Sequence, residues 1–175
     1  MPLAYIGLGS NLSSPAGPPE ATLAAAAARL ASLGRIVARS SLYSTAPVGL
    51  ANQPRFLNAV IALETSFAPR GLLTALLGIE RDFGRDRAVG IPNGPRSLDL
   101  DILLYGDLVI SEPGLEIPHR RLALRAFVLI PLCEIAPDLR DPRSGQTIAE
   151  FLAALGPHAD PGSAFPVISP LWPSG

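Results

Sequence analysis

Phe56-Leu57-Asn58-Ala59-Val60-Ile61-Ala62-Leu63-Glu64-Thr65 carries the clearest β-strand signal in the chain, an apolar run of strand length free of Gly and Pro. Working outward from it, Ala68-Pro69 opens a helix running to about Phe83, because Pro suits the first helical turn. Upstream, Arg35 to Tyr43 alternates Ile36, Ala38, Ser40 and Leu42 with Arg35, Val37, Arg39 and Ser41, which predicts a strand. The segment from Ser44 to Pro54, bearing Pro and Gly, connects the two strands. Earlier still, Leu3 to Gly9 reads as a buried strand closed by the Gly9-Ser10-Asn11 turn signal. Residues 13–19 form a loop, and Glu20 to Leu33 a helix that Gly34 stops. Downstream, Ser97 to Tyr105 is a strand, Gly106-Asp107 a turn, and Leu108 to Ile110 a returning strand.

The order strand–helix–strand–strand–helix–strand is a split βαβ pattern. It predicts an α+β, ferredoxin-like fold, an antiparallel sheet with helices packed mainly on one face. Loops then cover the other face or leave it open for a ligand. Further along, Pro118-His119 precedes a helix from about Arg121 to Cys133, 138–145 is irregular, and Ile148 to Leu155 is a short helix. Residues 1–157 are expected to be one domain and 158–175 a Pro/Gly-rich tail, with no internal repeat.

Composition narrows the function classes. With 48% hydrophobic and 17% charged residues, the chain carries enough apolar surface to exclude disorder over most of its 175 residues. A net charge of −1 offers no broad attraction to nucleic acid or to anionic membrane. No apolar stretch approaches bilayer length and no basic-then-apolar leader opens the chain, so a cytoplasmic location is expected. The single cysteine, Cys133, has no internal disulfide partner and fits a reducing compartment. All fourteen basic residues are Arg, which excludes a Walker-type phosphate loop and Schiff-base chemistry, since both need Lys.

In Ser97-Leu98-Asp99-Leu100-Asp101-Ile102-Leu103-Leu104, strand alternation turns Leu98, Leu100 and Ile102 one way and Asp99 and Asp101 the other. Two carboxylates side by side repel unless a cation is shared, and a hard divalent ion such as Mg²⁺ takes carboxylate oxygen while keeping sites open for phosphate. The plainer alternative is a solvated strand face. Arg85, Arg87 and Arg96 flank the pair, and Arg forks bind phosphate oxygens. Carboxylates for metal together with Arg for phosphate are the parts phosphoryl transfer uses. The long loop from Gly84 to Pro95 carries no periodicity, and loops of that kind are often functional. His119 stands with Arg120, Arg121 and Arg125 as a candidate phosphate contact, whereas His158 reads as incidental and Cys133 as core. Phe56 and Asn58 share one strand face, where a ring stacks and an amide reads a heterocycle edge, and Phe127 is a second wall. Two other readings remain at this level: a non-catalytic binding module, and a different metal-dependent phosphoryl or nucleotidyl transferase.

These residues resemble a known family. Gly94-Pro95-Arg96-Ser97-Leu98-Asp99-Leu100-Asp101-Ile102-Leu103-Leu104 is similar to the signature of 6-hydroxymethyl-7,8-dihydropterin pyrophosphokinases. So are the opening Ala4 to Leu12, Tyr43-Ser44-Thr45 through Gln53 to Asn58, Ile117-Pro118-His119, Arg125-Ala126-Phe127 and Pro131 to Pro137, in order across residues 3–155. The resemblance implies pyrophosphate transfer from ATP, the co-substrate, to the pterin hydroxymethyl group. It also implies two Mg²⁺ ions on Asp99 and Asp101, with Arg85 and Arg96 assisting transfer. Leu77, Glu80, Arg87, Arg96, Ile102, His119, Arg120 and Arg125 would line the nucleotide. Thr45, Ala46, Pro47, Val48, Phe56, Asn58 and Phe127 would hold the pterin. Small-molecule substrates, no nucleic acid, no membrane and a monomeric state follow as expectations. The chain departs from the family pattern at Pro92 and Asn93, where an Arg and an aromatic often stand, and in a loop one residue longer. It departs also at Arg120, Gly114 and Ala46.

Overall fold

The structure, a computed structural model, describes residues 1–88, 90–156 and 164–173. Its elements are β1 (Leu3–Ser10), α1 (Pro19–Leu30), β2 (Arg35–Arg39), β3 (Leu42–Thr45), β4 (Phe56–Glu64), α2 (Pro69–Asp82), β5 (Asp99–Tyr105), β6 (Ile110–Glu112), β7 (Leu115–Ile117), a 3₁₀ turn (Leu122–Leu124), α3 (Ala126–Ile135), α4 (Ile148–Leu155) and β8 (Ala164–Val167). The main sheet is antiparallel, in the order β5-β1-β4-β3-β8, with β2 also paired to β4. β6 and β7 form a separate hairpin, two residues later than the expected returning strand and off the main sheet.

The expectation that the helices lie mainly on one face is corrected. α1 and α2 bury Leu23, Leu30, Leu72 and Leu76 against Ile6, Leu8, Ile61, Leu63 and Leu100. α3 and α4 cover the opposite face, burying Leu129, Leu132, Ile148 and Phe151 against Tyr5, Val60, Ala62, Leu103 and Leu104. The physical reason lies in β4, whose residues from Asn58 to Leu63 are all buried. A strand without polar alternation has two faces to cover, and one layer of helices covers only one.

Three local boundaries also shift. The expected strand from Arg35 to Tyr43 is two strands. They divide at Ser40, whose hydroxyl accepts the Val60 N–H at 2.9 Å and whose carbonyl accepts the indole N–H of Trp172 at 2.8 Å. The expected helix from Arg121 starts at Ala126, because Arg125 is extended (φ −115°, ψ 100°). Within the stretch read as a tail, β8 pairs with β3, and Trp172 is buried in the core beneath α1. His158 lies outside the described residues. Among the described residues no helix is long and apolar enough to cross a membrane.

Candidate active site

The face shared with α3 is left open at one end of the sheet, and β1 supplies the floor there. Gly7 pairs with Asp101, and Gly9 pairs with Asp99 on one side and Asn58 on the other. A Cβ on Gly9 would stand 2.8 Å from the Asn58 side-chain oxygen, so glycine lets the polar groups of β4 and β5 converge over bare backbone. Asp99 and Asp101 point onto this floor, while Leu98, Leu100 and Ile102 enter the opposite core, as strand alternation predicts.

Three guanidiniums surround Asp99. Arg85 Nη1 bonds one of its carboxylate oxygens, Arg96 Nη1 reaches the other at 3.0 Å, and Arg87 Nη2 lies at 3.4 Å. Beneath them sits Glu80, 1% exposed, on the last turns of α2. Its carboxylate takes Arg87 Nε at 2.8 Å and Nη2 at 2.7 Å, Arg85 Nη1 at 3.4 Å, and the Leu100 N–H at 2.9 Å. One buried carboxylate thus fastens α2, the start of β5 and two arginines of the intervening loop.

Burial opposes ionisation of Asp99, but Arg85 and Arg96 outweigh it and hold the carboxyl below the usual range. Asp101 is pushed up, first by burial and then by the neighbouring Asp99 charge, with Arg87 and Arg125 opposing. A divalent cation would relieve that repulsion, so the donor set fits one. Among the described residues no third His, Cys, Asp or Glu joins the pair. Two carboxylates with remaining positions for water and phosphate suit Mg²⁺ rather than a closed protein cage. His119 is lowered to about 4 by burial and then by Arg125, so it is neutral at physiological pH. Its Nδ1 accepts the Arg121 N–H at 3.1 Å, which leaves Nε2–H as a donor.

Two clefts meet at the acidic pair. One, of about 550 Å³, is bounded by Thr45, Ala46, Val48, Phe56, Asn58 and Phe127, and reaches Asp99. Asn58 Nδ2 donates to Thr45 Oγ1 at 2.6 Å, fixing the amide that faces the cleft. Arg96 lies over the Phe56 ring at 5.4 Å and Arg125 over Phe127 at the same distance, so both rings border cations. The second cleft, of about 940 Å³, is lined by Arg87, Asp101, Ile102, His119 and Arg120, and by Leu73 and Glu116. Leu77, half-buried on α2, and Pro47, in the loop after β3, line neither. Arg121, grouped with His119 as a candidate phosphate contact, lines the first cleft instead, and Leu73, in the second, carried no expected role. Leu73 lies one helical turn before Leu77, and nothing in a run of leucines marks which one faces a cleft.

The loops above the clefts touch. Gln53 Nε2 donates to the carbonyls of Leu50 and Asn93, at 2.7 and 2.8 Å. Asn11 in turn donates to Gln53 Oε1 at 3.0 Å and accepts the Arg96 N–H at 2.9 Å. Asn93, held by its carbonyl to Gln53, also borders the first cleft.

An α+β sheet whose acidic, arginine-ringed centre joins a flat-ring slot to a cationic cleft has the layout of a transferase of phosphate-bearing groups. Residues 5–137 match the family model of 7,8-dihydro-6-hydroxymethylpterin-pyrophosphokinase (HPPK), and the chain belongs to that family. The 2-amino-4-hydroxy-6-hydroxymethyldihydropteridine pyrophosphokinase of Pseudomonas aeruginosa is 49% identical over 150 residues, covering 86% of this chain and 90% of its own. That of Methylorubrum extorquens is 46% identical, covering 90% and 96%. Among solved structures, Plasmodium falciparum HPPK-DHPS matches with a TM-score of 0.74 at 15% identity, over 96% of this chain. The chain spans 47% of that protein's length, and the likeness concerns the fold.

Proposed function

We infer that this enzyme transfers pyrophosphate from ATP to 6-hydroxymethyl-7,8-dihydropterin, yielding AMP and the pterin diphosphate for tetrahydrofolate biosynthesis. The observation that carries the reading is the position of Asp99 and Asp101 where the flat-ring slot and the arginine-lined cleft meet. The pterin stacks between Phe56 and Phe127, its edge read by Asn58 and Thr45 and bounded by Ala46 and Val48, with Pro47 joining them in the chain. ATP lies along the second cleft, with its base side toward Ile102 and Leu73, one helical turn before Leu77. Its phosphates lie toward Arg87, His119 and Arg120, while Arg125 borders them from the first cleft. Asp99 and Asp101 would hold two Mg²⁺ ions, which supply charge neutralisation on the triphosphate when bound.

The pterin hydroxymethyl oxygen attacks the β-phosphorus in line, forming the new P–O bond as the bond to AMP breaks. Arg85 and Arg96 stabilise charge on the transferring group, and the two clefts set the approach of the reactants. Glu80, assigned by resemblance to the nucleotide, serves here by holding Arg85 and Arg87. The strand order, with the two βαβ halves interleaved, supports a ferredoxin-like core, and a cytoplasmic monomer acting on small molecules is the state that fits. The test is incubation with Mg·ATP and hydroxymethyl dihydropterin. AMP is the expected product, and Asp101→Asn should abolish it while the circular dichroism stays native. ADP as product, or full activity in Asp101→Asn, overturns the reading.

A further inference from the structure

The two walls of the flat-ring slot come from elements distant in sequence. Phe127 stands in the first turn of α3, while Thr45 ends β3 and faces Phe56 across the β3–β4 pair. The apolar contacts that seat α3 on the sheet run through Val128, Leu129 and Leu132 and are individually non-directional. A directional polar contact lies at the other end of α3. Glu134, in the last turn, accepts the Ser41 N–H at 3.0 Å and the Ser41 hydroxyl at 2.8 Å on Oε1, and the Tyr43 hydroxyl at 2.6 Å on Oε2.

All three bonds go to the start of β3, two to four residues before Thr45. Tyr43 is directly opposite Asn58 in the β3–β4 register and two residues before Thr45, on the same strand face. Seven residues separate Glu134 from Phe127, about two helical turns along α3. Bonds to an ionised acceptor are directional and are the stronger class of hydrogen bond. The Tyr43 hydroxyl is raised well above its ordinary pKa by burial and then by its bond to Glu134, so it remains a donor throughout the working pH range. β3 is held on its other edge by β8, and Arg55 bonds the Ser44 hydroxyl at 2.9 Å and carbonyl at 3.1 Å. The strand is therefore a firm base against which a helix can be registered.

We propose that Glu134 is a positioning residue for the pterin slot: without touching substrate, it sets the separation of Phe127 on α3 from Thr45, Phe56 and Asn58 on the β3–β4 pair. The inference rests on the reading of that slot as the pterin site. It predicts a defect mainly in one substrate, because the second cleft is built on α2, β5, the β6–β7 hairpin and the segments carrying Arg87, His119 and Arg120, with no residue on α3. Arg125, the cap of α3, is the one ATP contact tied to the helix.

The experiment uses the full chain and two separate titrations, one with 6-hydroxymethylpterin and one with a non-hydrolysable ATP analogue, alongside steady-state kinetics. Glu134→Ala should weaken pterin binding about tenfold, as expected for loss of a charge-assisted anchor, and leave the ATP analogue within about twofold. The pterin KM should rise while kcat at saturating pterin stays within about twofold. Glu134→Gln, which keeps the shape and an acceptor for Ser41, should recover most of the loss. Tyr43→Phe should cost less than Glu134→Ala, and adding it to Glu134→Ala should cost nothing more, since the one bond it removes is among the three already lost. A Glu134→Ala protein that melts earlier yet binds pterin normally, or that loses both ligands equally, overturns the proposal. If Glu134→Ala does not fold, Glu134→Gln and Tyr43→Phe carry the same test. Phe127→Ala separates the underlying reading: unchanged pterin affinity there removes the slot itself, and the proposal with it. Loss in Phe127→Ala beside normal Glu134 variants removes the positioning role alone.

Discussion

Replacing Glu80 by Ala tests the centre of the site through a residue buried beneath it. The change strands the Leu100 N–H, which now donates to Glu80 at 2.9 Å, and releases Arg85 and Arg87 from their shared acceptor. A buried donor left without its charged acceptor costs about 1.5–3 kcal/mol. Arg87, with a side chain 47% exposed, recovers much of its loss in water and adds only about 0.5–1 kcal/mol. The total of about 2–4 kcal/mol is in line with removal of one partner from a buried ion pair. At about 2–4 °C per kcal/mol for a chain of this length, the melting temperature should fall by about 4–16 °C. Activity should fall more than stability explains, because Arg85 and Arg87 then lean on Asp99 and neutralise a carboxylate needed elsewhere. Thermal unfolding by circular dichroism and AMP formation well below the melting point measure the two effects separately. Glu80→Gln, which keeps one acceptor for Leu100, should show the smaller stability loss and much of the kinetic one. A Glu80→Ala enzyme within 1 kcal/mol of wild type and with unchanged kcat would refute the reasoning.

Asp101→Asn should stabilise the ligand-free protein at neutral pH. Burial and Asp99 raise the folded-state pKa of Asp101, so ionising it costs stability as pH rises above the unfolded value of about 3.9. The gap between variant and wild type in urea denaturation should therefore open from about pH 4 upward, and Mg·ATP should narrow it. His119 has the opposite behaviour to a paired histidine: its folded pKa of about 4 lies below the unfolded value near 6.5. Its contribution is fully present above pH 6.5 and is lost as pH falls toward 4, so His119→Gln should flatten that part of the stability profile relative to wild type. Trp172→Ala should cost about 3–5 kcal/mol, since the indole is 3% exposed and bonded to the Ser40 carbonyl. Calorimetry checks it, and a loss under 1 kcal/mol would mean the C-terminal segment is dispensable for stability.

Much of the fold was legible because single residues speak locally. Pro69 at a helix start, the alternation through Leu98 to Ile102, and the β4 run each report their own neighbourhood. The interruption at Ser40 was not legible: alternation continues through it, and the break is made by Val60 and Trp172, which are distant in sequence. Likewise Ala164–Val167, with Pro in its centre, lacks a strand signal of its own and becomes one by pairing with the edge of β3.

At the site, the sequence alone placed the candidate groups. Two aspartates at i and i+2 in a strand share a face, three arginines flank them, and ordered motifs over most of the chain point to one family. The tertiary structure decided which groups meet. Only the antiparallel register sets Gly9 between Asn58 and Asp99, and Gly7 between Val60 and Asp101. Only the second helical layer brings Phe127 opposite Phe56. Burial, read from neither residue type nor spacing, placed Glu80 beneath the arginines as their shared acceptor. Those are long-range facts, produced by packing two helical layers on one sheet, and no local window of the chain contains them.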